Sequence, residues 1–174
     1  MLLTVAYPVL RNEDATFVEA FRQRYDPRVR EVAAHFTLAF GCAAVPQRLY
    51  LRHVEAVCKD SQAFDFACRY AMLSAGHDDE NAYVFLVPDE GLAALSLLHD
   101  AVNRGVLTPH LRLDVPYVPH ITIGVMTDRV VAKSLCDELN SKGVDISGRV
   151  QALTVIELDE SGVGAIEAFA LGGG

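Results

Sequence analysis

The 174-residue sequence has no long uncharged apolar run. Its longest stretch free of Lys, Arg, Asp and Glu runs from Val32 to Gln47, and His35, Thr37, Gly41 and Pro46 interrupt it. A membrane-spanning helix needs about 20 mostly apolar residues, so no span is expected. The first residues, MLLTVAYPVLR, lack a positively charged start and place Pro8 inside their apolar run, which argues against a signal peptide. Positive charge is scarce too: 15 Lys and Arg face 23 Asp and Glu, a formal net charge of −8. That balance excludes a long basic groove for nucleic acid but not a small or locally held nucleotide. C-x-x-C pairs are absent. Cys42, Cys58, Cys68 and Cys136 sit in apolar surroundings, and without a secretory signal they are expected as buried, reduced thiols of a cytoplasmic protein.

What is present is an ordinary globular composition, 51% hydrophobic and 22% charged, which excludes disordered, collagen-like and coiled-coil readings. A chain of this length forms one compact domain or two small lobes and buries roughly 70% of its unfolded surface.

Apolar periodicity divides the chain into alternating strand-like and helix-like pieces. Leu2 to Pro8 reads as a strand, and Glu13 to Tyr25 as a helix with Asn12 as N-cap and Phe17, Phe21 and Tyr25 on one face. Asp26–Pro27 is a turn pair leading to a strand from His35 to Phe40. Pro46 opens a helix to Cys58, and Phe64 to Ser74 is a strand ended by Gly76 and the acidic turn His77-Asp78-Asp79-Glu80. The second half repeats the order. Tyr83 to Val87 is a strand, and Asp89 to Asn103 a helix in which Leu92, Leu95, His99 and Val102 share a face. A long connection from Gly105 to Pro119 leads to a strand from His120 to Met126, a helix from Thr127 to Asn140, and more strand from Val144. Residues 171–174 read as a frayed tail. Matching elements lie about 80–85 residues apart, as an internal duplication would leave them. Such a duplication suits two similar α+β lobes facing each other, so the expected fold class is α+β, a single bilobal domain over residues 1–174.

One pattern stands above this background. His35-Phe36-Thr37-Leu38 and His120-Ile121-Thr122-Ile123 are both His, apolar, Thr, apolar, at equivalent points of the two halves. His53, His77 and His99 lack the threonine, and His110 has Arg112 in its place. A given histidine matches by chance about 1% of the time, and two matches among six arise in roughly one or two such chains per thousand. Side chains alternate faces along a strand, so His35 and Thr37 share a side, as do His120 and Thr122, while the apolar residues point to the core. If the lobes face each other, two imidazoles and two hydroxyls meet in one cleft. Imidazole, with an unperturbed pKa near 6.5, can serve once as base and once as acid at neutral pH. Hydroxyl donors can stabilise charge building up on a phosphorus centre.

A lone histidine on an apolar strand is more often structural than catalytic; duplication on a shared face reverses the odds. Zinc is disfavoured because it wants three or four ligands, and no Cys or carboxylate lies at strand spacing from either histidine. His77 and its acidic neighbours read as a solvated turn. Arg22, Arg24, Arg28 and Arg30 crowd the approach to His35, where they can hold a phosphate or simply face solvent. Tyr117, three residues before His120, can stack on a base or pack at the rim.

The two motifs, with AAHFTLAFG and DVPYVPHITIG around them, resemble the 2H phosphoesterase superfamily, in particular its bacterial 2′-5′ RNA ligase-like and cyclic phosphodiesterase branch. RYDPRVR and LSLLHDAVNRGVL match more loosely, and Ala33-Ala34 stands where a proline commonly precedes the first motif. The resemblance implies two antiparallel sheets facing a central cleft, with helices on the outside, and a cleft that holds His35, Thr37, His120 and Thr122; Arg28, Arg30 and Tyr117 stand as candidate substrate contacts by their position in the sequence. It implies attack on a 2′,3′-cyclic phosphate of a nucleotide or RNA end without metal or cofactor, and a monomer is expected. His120 would draw a proton from water and His35 protonate the leaving oxygen, or the reverse, since the halves are alike. Opening the P–O3′ bond would leave a 2′-phosphate. RNA 2′-5′ ligation on the same residues, or a non-catalytic nucleotide-binding module, are the alternatives.

Overall fold

A computed structural model describes residues 1–75, 80–160 and 162–172. The strands are β1 (Leu2–Ala6), β2 (Val9–Leu10), β3 (Phe36–Cys42), β4 (Phe64–Ala75), β5 (Ala82–Glu90), β6 (Ile121–Met126), β7 (Ile146–Val150), β8 (Ala152–Asp159) and β9 (Gly162–Ala170). The helices are α1 (Asn12–Tyr25), α2 (Gln47–Lys59), α3 (Leu92–Val102) and α4 (Arg129–Lys142), with a 3₁₀ turn over Gly105–His110 in the long connection before β6. The strands form two sheets, ordered β3-β1-β8-β9 and β2-β7-β4-β5-β6, antiparallel in every pair. The fold is therefore α+β with two antiparallel sheets. The acidic turn expected after β4 falls mostly on residues 76–79, outside those described.

The duplication is visible as β1-α1-β3-α2 against β5-α3-β6-α4, but the two halves do not each form a lobe. The four-stranded sheet combines β1 and β3 with the C-terminal β8 and β9, while β4 joins the other sheet. The first helix of each repeat also crosses over. α1, which lies between β2 of the larger sheet and β3 of the smaller, packs on β6, the motif strand of the other repeat; α3, which links two strands of the larger sheet, packs on β3 of the smaller as well as on β5. One continuous core results, in which Phe36 of β3 meets Phe66 of β4 edge-on at 5.0 Å between ring centroids. Fully burying such a side chain stabilises the fold by about 1.5–3 kcal/mol.

Local chemistry moves several element ends from their expected places. α1 begins one residue early: Arg11 holds the N-cap position without a side-chain cap, and Asp14 ties the first turn by accepting from Arg11 Nε (2.7 Å) and the Ser147 amide (3.0 Å). Its buried face is Asp14, Val18 and Arg22, and not the aromatic stripe, of which Phe17 is 40% exposed. Two ionisable residues on that face hide it from an apolar periodicity. β5 continues to Glu90 instead of stopping at Val87, since its ladder with β4 runs on to Ala67 opposite Glu90, where Arg69 of β4 also pairs with Asp89 (2.9 Å) and Glu90 (3.3 Å). Gly91, in the left-handed region at φ +80°, then turns the chain into α3. Leu98 takes the buried place expected for Leu92. Asp128 caps α4 by accepting from the amides of Val130 (2.8 Å) and Val131 (3.1 Å), so that helix starts at Arg129.

At the C-terminus the expected fraying is absent at Leu171, which is buried, and the Gly172 amide donates to the Cys58 carbonyl (3.1 Å). All four cysteines are buried and free, and burial pushes the Cys58 thiol up to about 11 and the Cys68 thiol up to about 12. No helix among the described residues is long and apolar enough to cross a membrane.

Candidate active site

Each motif lies on an edge strand, β3 of the smaller sheet and β6 of the larger. The expected alternation holds in both. Phe36, Leu38, Ile121 and Ile123 are 0% exposed, whereas Thr37 and Thr122 are half-buried on the opposite faces. Thr37 stands opposite Val5 of β1, and Thr122 opposite Phe85 of β5. His35 and His120 each occupy the residue just before the strand begins.

Both imidazoles are held the same way. The Nδ1–H of His35 donates to the Ala33 carbonyl (2.8 Å), and the Nδ1–H of His120 donates to the Val118 carbonyl (2.6 Å). A carbonyl only accepts, so the proton of each neutral ring sits on Nδ1, which leaves Nε2 as the nitrogen that carries the lone pair. Aromatic neighbours fix the ring planes. Phe85 stacks on His120 (3.6 Å between centroids, 19° between planes), and Tyr7 stands edge-on to His35 (6.0 Å, 70°).

His35 is pushed below the ordinary imidazole range, first by burial; Arg22 and Arg28 add to this, while the hydrogen bond to Ala33 and the charge of Asp26 oppose it. The ring is therefore neutral at neutral pH.

A cavity of about 450 Å³ takes in His120 and Thr122 together with Met72, Tyr83 and Phe85 from the larger sheet and Phe40 from β3. His35 and Thr37 are not among its lining residues, so the cavity gathers one complete motif and the far end of the strand that bears the other. The end of β4, at Ser74 and Ala75, and the Asp114–Val118 loop complete its wall, and Asp114 is held by the Arg112 guanidinium through two hydrogen bonds of 2.7 and 2.6 Å.

The outer candidates are placed differently from one another. Arg28 is exposed and pairs with Glu31 (2.9 Å); Arg30 is exposed. Tyr117 lines the cavity, but one face of its ring lies flat on His99 (3.6 Å, 8°) and its hydroxyl donates to the Thr37 carbonyl (3.1 Å). Arg24 sits over the Tyr25 ring at 5.2 Å. Arg22, grouped with the exposed arginines by its position in sequence, is 2% exposed: it pairs with Asp26 (2.9 Å) and donates to the Val32 carbonyl (2.7 Å). His99 and Asn103, buried in and just after α3, were not singled out as site residues, because neither belongs to a motif. A histidine on a helix face is the only trace they leave in sequence.

A two-sheet α+β fold with a His-x-Thr pair at the head of one edge strand of each sheet defines the class of protein. A model of the 2′-5′ RNA ligase superfamily matches residues 10–162, and the chain belongs to that superfamily. No curated protein matches in sequence. Among solved structures, Escherichia coli LigT complexed with 3′-AMP is similar at TM-score 0.64 and 15% identity, over 98% of this chain and 97% of that one. TT0787 of Thermus thermophilus is similar at TM-score 0.60 and 15% identity, over 98% of both chains. Usb1 of Kluyveromyces marxianus is similar at TM-score 0.57 and 10% identity, over 98% and 97%. At these identities the likeness is one of fold.

Proposed function

We propose that the protein is an enzyme that opens 2′,3′-cyclic phosphates of nucleotides or RNA ends, with His35 and His120 as its acid–base pair. The observation that carries this reading is the repeated histidine clamp, in which both rings are held through Nδ1 by the carbonyl two residues earlier, with a half-buried threonine two residues later. A purely structural histidine has no need of the same tautomer twice.

His35, kept neutral by burial and by Arg22 and Arg28, suits the base role. Its Nε2 takes a proton from the attacking water as the new P–O bond forms. His120, entering as the imidazolium, gives its Nε2 proton to O3′ as the P–O3′ bond breaks, leaving a 2′-phosphate. The two rings finish with their protonation states exchanged, and solvent resets them. This reverses the assignment first expected from the resemblance. The Thr37 and Thr122 hydroxyls donate to the non-bridging oxygens, where charge accumulates. The Phe40, Tyr83 and Met72 side chains suit a planar base, and no Lys or Arg is among the described residues lining the cavity, so one nucleoside fits better than a run of phosphates. LigT, solved with 3′-AMP, offers a nucleotide precedent in the same fold.

The test is an assay with EDTA on the four 2′,3′-cyclic mononucleotides, comparing wild type with His35→Ala and His120→Ala. Loss of about 10²-fold or more in each variant supports the acid–base pair. Activity that survives both substitutions sinks it.

A further inference from the structure

The loops that approach the two motifs are braced in the same crossed manner. The loop before His35 hangs from α1, through Arg22 on the Val32 carbonyl, and α1 packs on β6, the strand of the other motif. The loop before His120 hangs from α3, through Tyr117 lying on His99, and α3 packs on β3. Around Tyr117 the contacts converge. The His99 Nδ1–H and the Asn103 amide both donate to the Leu38 carbonyl at 2.8 Å, and the Tyr117 hydroxyl donates to the Thr37 carbonyl at 3.1 Å. Three side chains thus grip two successive carbonyls of an edge strand, where backbone groups would otherwise invite another chain. The residue after Tyr117 is Val118, whose carbonyl holds the His120 ring.

We propose that Tyr117 is a positioning residue: its hydroxyl on the Thr37 carbonyl and its ring on His99 fix the Val118 carbonyl, and with it His120, relative to the first motif. The inference rests on the reading of His35 and His120 as the acid–base pair. It goes beyond that reading by saying what sets the distance between two half-sites that lie on different sheets. Connecting loops are softer than the elements they join, and only a tie to the opposite strand makes the Val118 carbonyl a fixed point. A misplacement of about 1 Å in such a site can cost on the order of 10²-fold in rate. The hydroxyl is kept as a donor, since burial raises the phenol above its ordinary range. The alternative role, a platform for the substrate base, needs the ring and not the hydroxyl.

Tyr117→Phe separates the two, because it keeps the ring and removes only the hydroxyl. Positioning predicts a kcat on 2′,3′-cyclic AMP lowered about 10-fold with KM within about twofold, as for an interaction felt in the transition state. It also predicts displaced ring-nitrogen resonances of His120 in ¹H–¹⁵N NMR, with the melting temperature recorded alongside to confirm folding. A Tyr117→Phe protein with wild-type kcat and unchanged His120 resonances overturns the proposal, most clearly if Tyr117→Ala then raises KM alone. If the wild type turns over no cyclic nucleotide, the functional reading fails separately. The NMR arm then decides: displaced His120 resonances in Tyr117→Phe support the tie, and unchanged ones overturn it.

Discussion

The Nη2 of Arg22 donates to the Val32 carbonyl across 2.7 Å, and Val32 precedes the residue whose carbonyl holds His35. The same guanidinium pairs with Asp26 at 2.9 Å, with both side chains almost fully buried. Its Nη1 is the one buried side-chain nitrogen or oxygen with no hydrogen-bond partner among the described residues. A buried charge with an unmet donor is retained at a cost, and the geometry gives the reason: it ties the first approach loop to α1.

Arg22→Met is expected to destabilise the protein by about 3–5 kcal/mol, because Asp26 is left buried without its partner. Arg22→Met combined with Asp26→Asn should recover part of that loss, since no charge then stays unpaired. Urea unfolding of the three proteins measures both. A single variant as stable as wild type would show that the pair contributes nothing.

Legibility in sequence followed the periodicity of each element. The strands at Phe36 and Ile121 were readable because they alternate over the motif residues, and the duplicated His-x-Thr pattern rode on that alternation. The buried face of α1 was not, since Asp14 and Arg22 occupy two of its three positions and an apolar count selects the aromatic stripe instead. The packing of α1 on β6 and of α3 on β3 was also hidden. Strand and helix order fixes neighbours along the chain, whereas the sheet that a helix covers depends on packing between distant segments. Tyr117 was seen as a candidate, but its partner His99 is a lone helix histidine with no spacing signal. The tie between them exists only once α3 lies on β3.

Arg28 is expected to act on the reaction through charge. Its guanidinium helps hold His35 below the ordinary imidazole value of 6.5, so the acid limb of kcat/KM, set by loss of the neutral base, should lie below pH 6.5. Arg28→Gln removes one of the cations beside the ring, which raises the His35 pKa and moves that limb upward. Because Arg28 is exposed, added salt at roughly 0.5 M should shrink the difference between the two profiles. A pH profile of Arg28→Gln with the limb unmoved, or moved downward, would refute the assignment of His35 as base.

Acidification should weaken the fold before the carboxylates titrate, and His99 is one source. Its ring is buried, donates from Nδ1 to the Leu38 carbonyl and has its pKa lowered chiefly by burial, against smaller opposing effects from that hydrogen bond and Asp100. A histidine depressed in the folded state favours folding fully above its unfolded value, 6.5, and loses that contribution as pH falls through the folded value. His35 carries the same sign. Asp14, Asp89 and Glu138 are lowered as well, but their reference values of 3.8, 3.8 and 4.5 put most of their losses further into acid. The interval from about pH 6.5 to 5 therefore isolates the histidines. Wild type should melt at a lower temperature at the acid end, by about 2–4 °C for each kcal/mol of linked stability. His99→Gln retains a side-chain donor for Leu38 but has no proton to gain, so its melting temperature should fall less over the same interval. Equal slopes for the two proteins would remove His99 from the pH response and leave His35 to account for it.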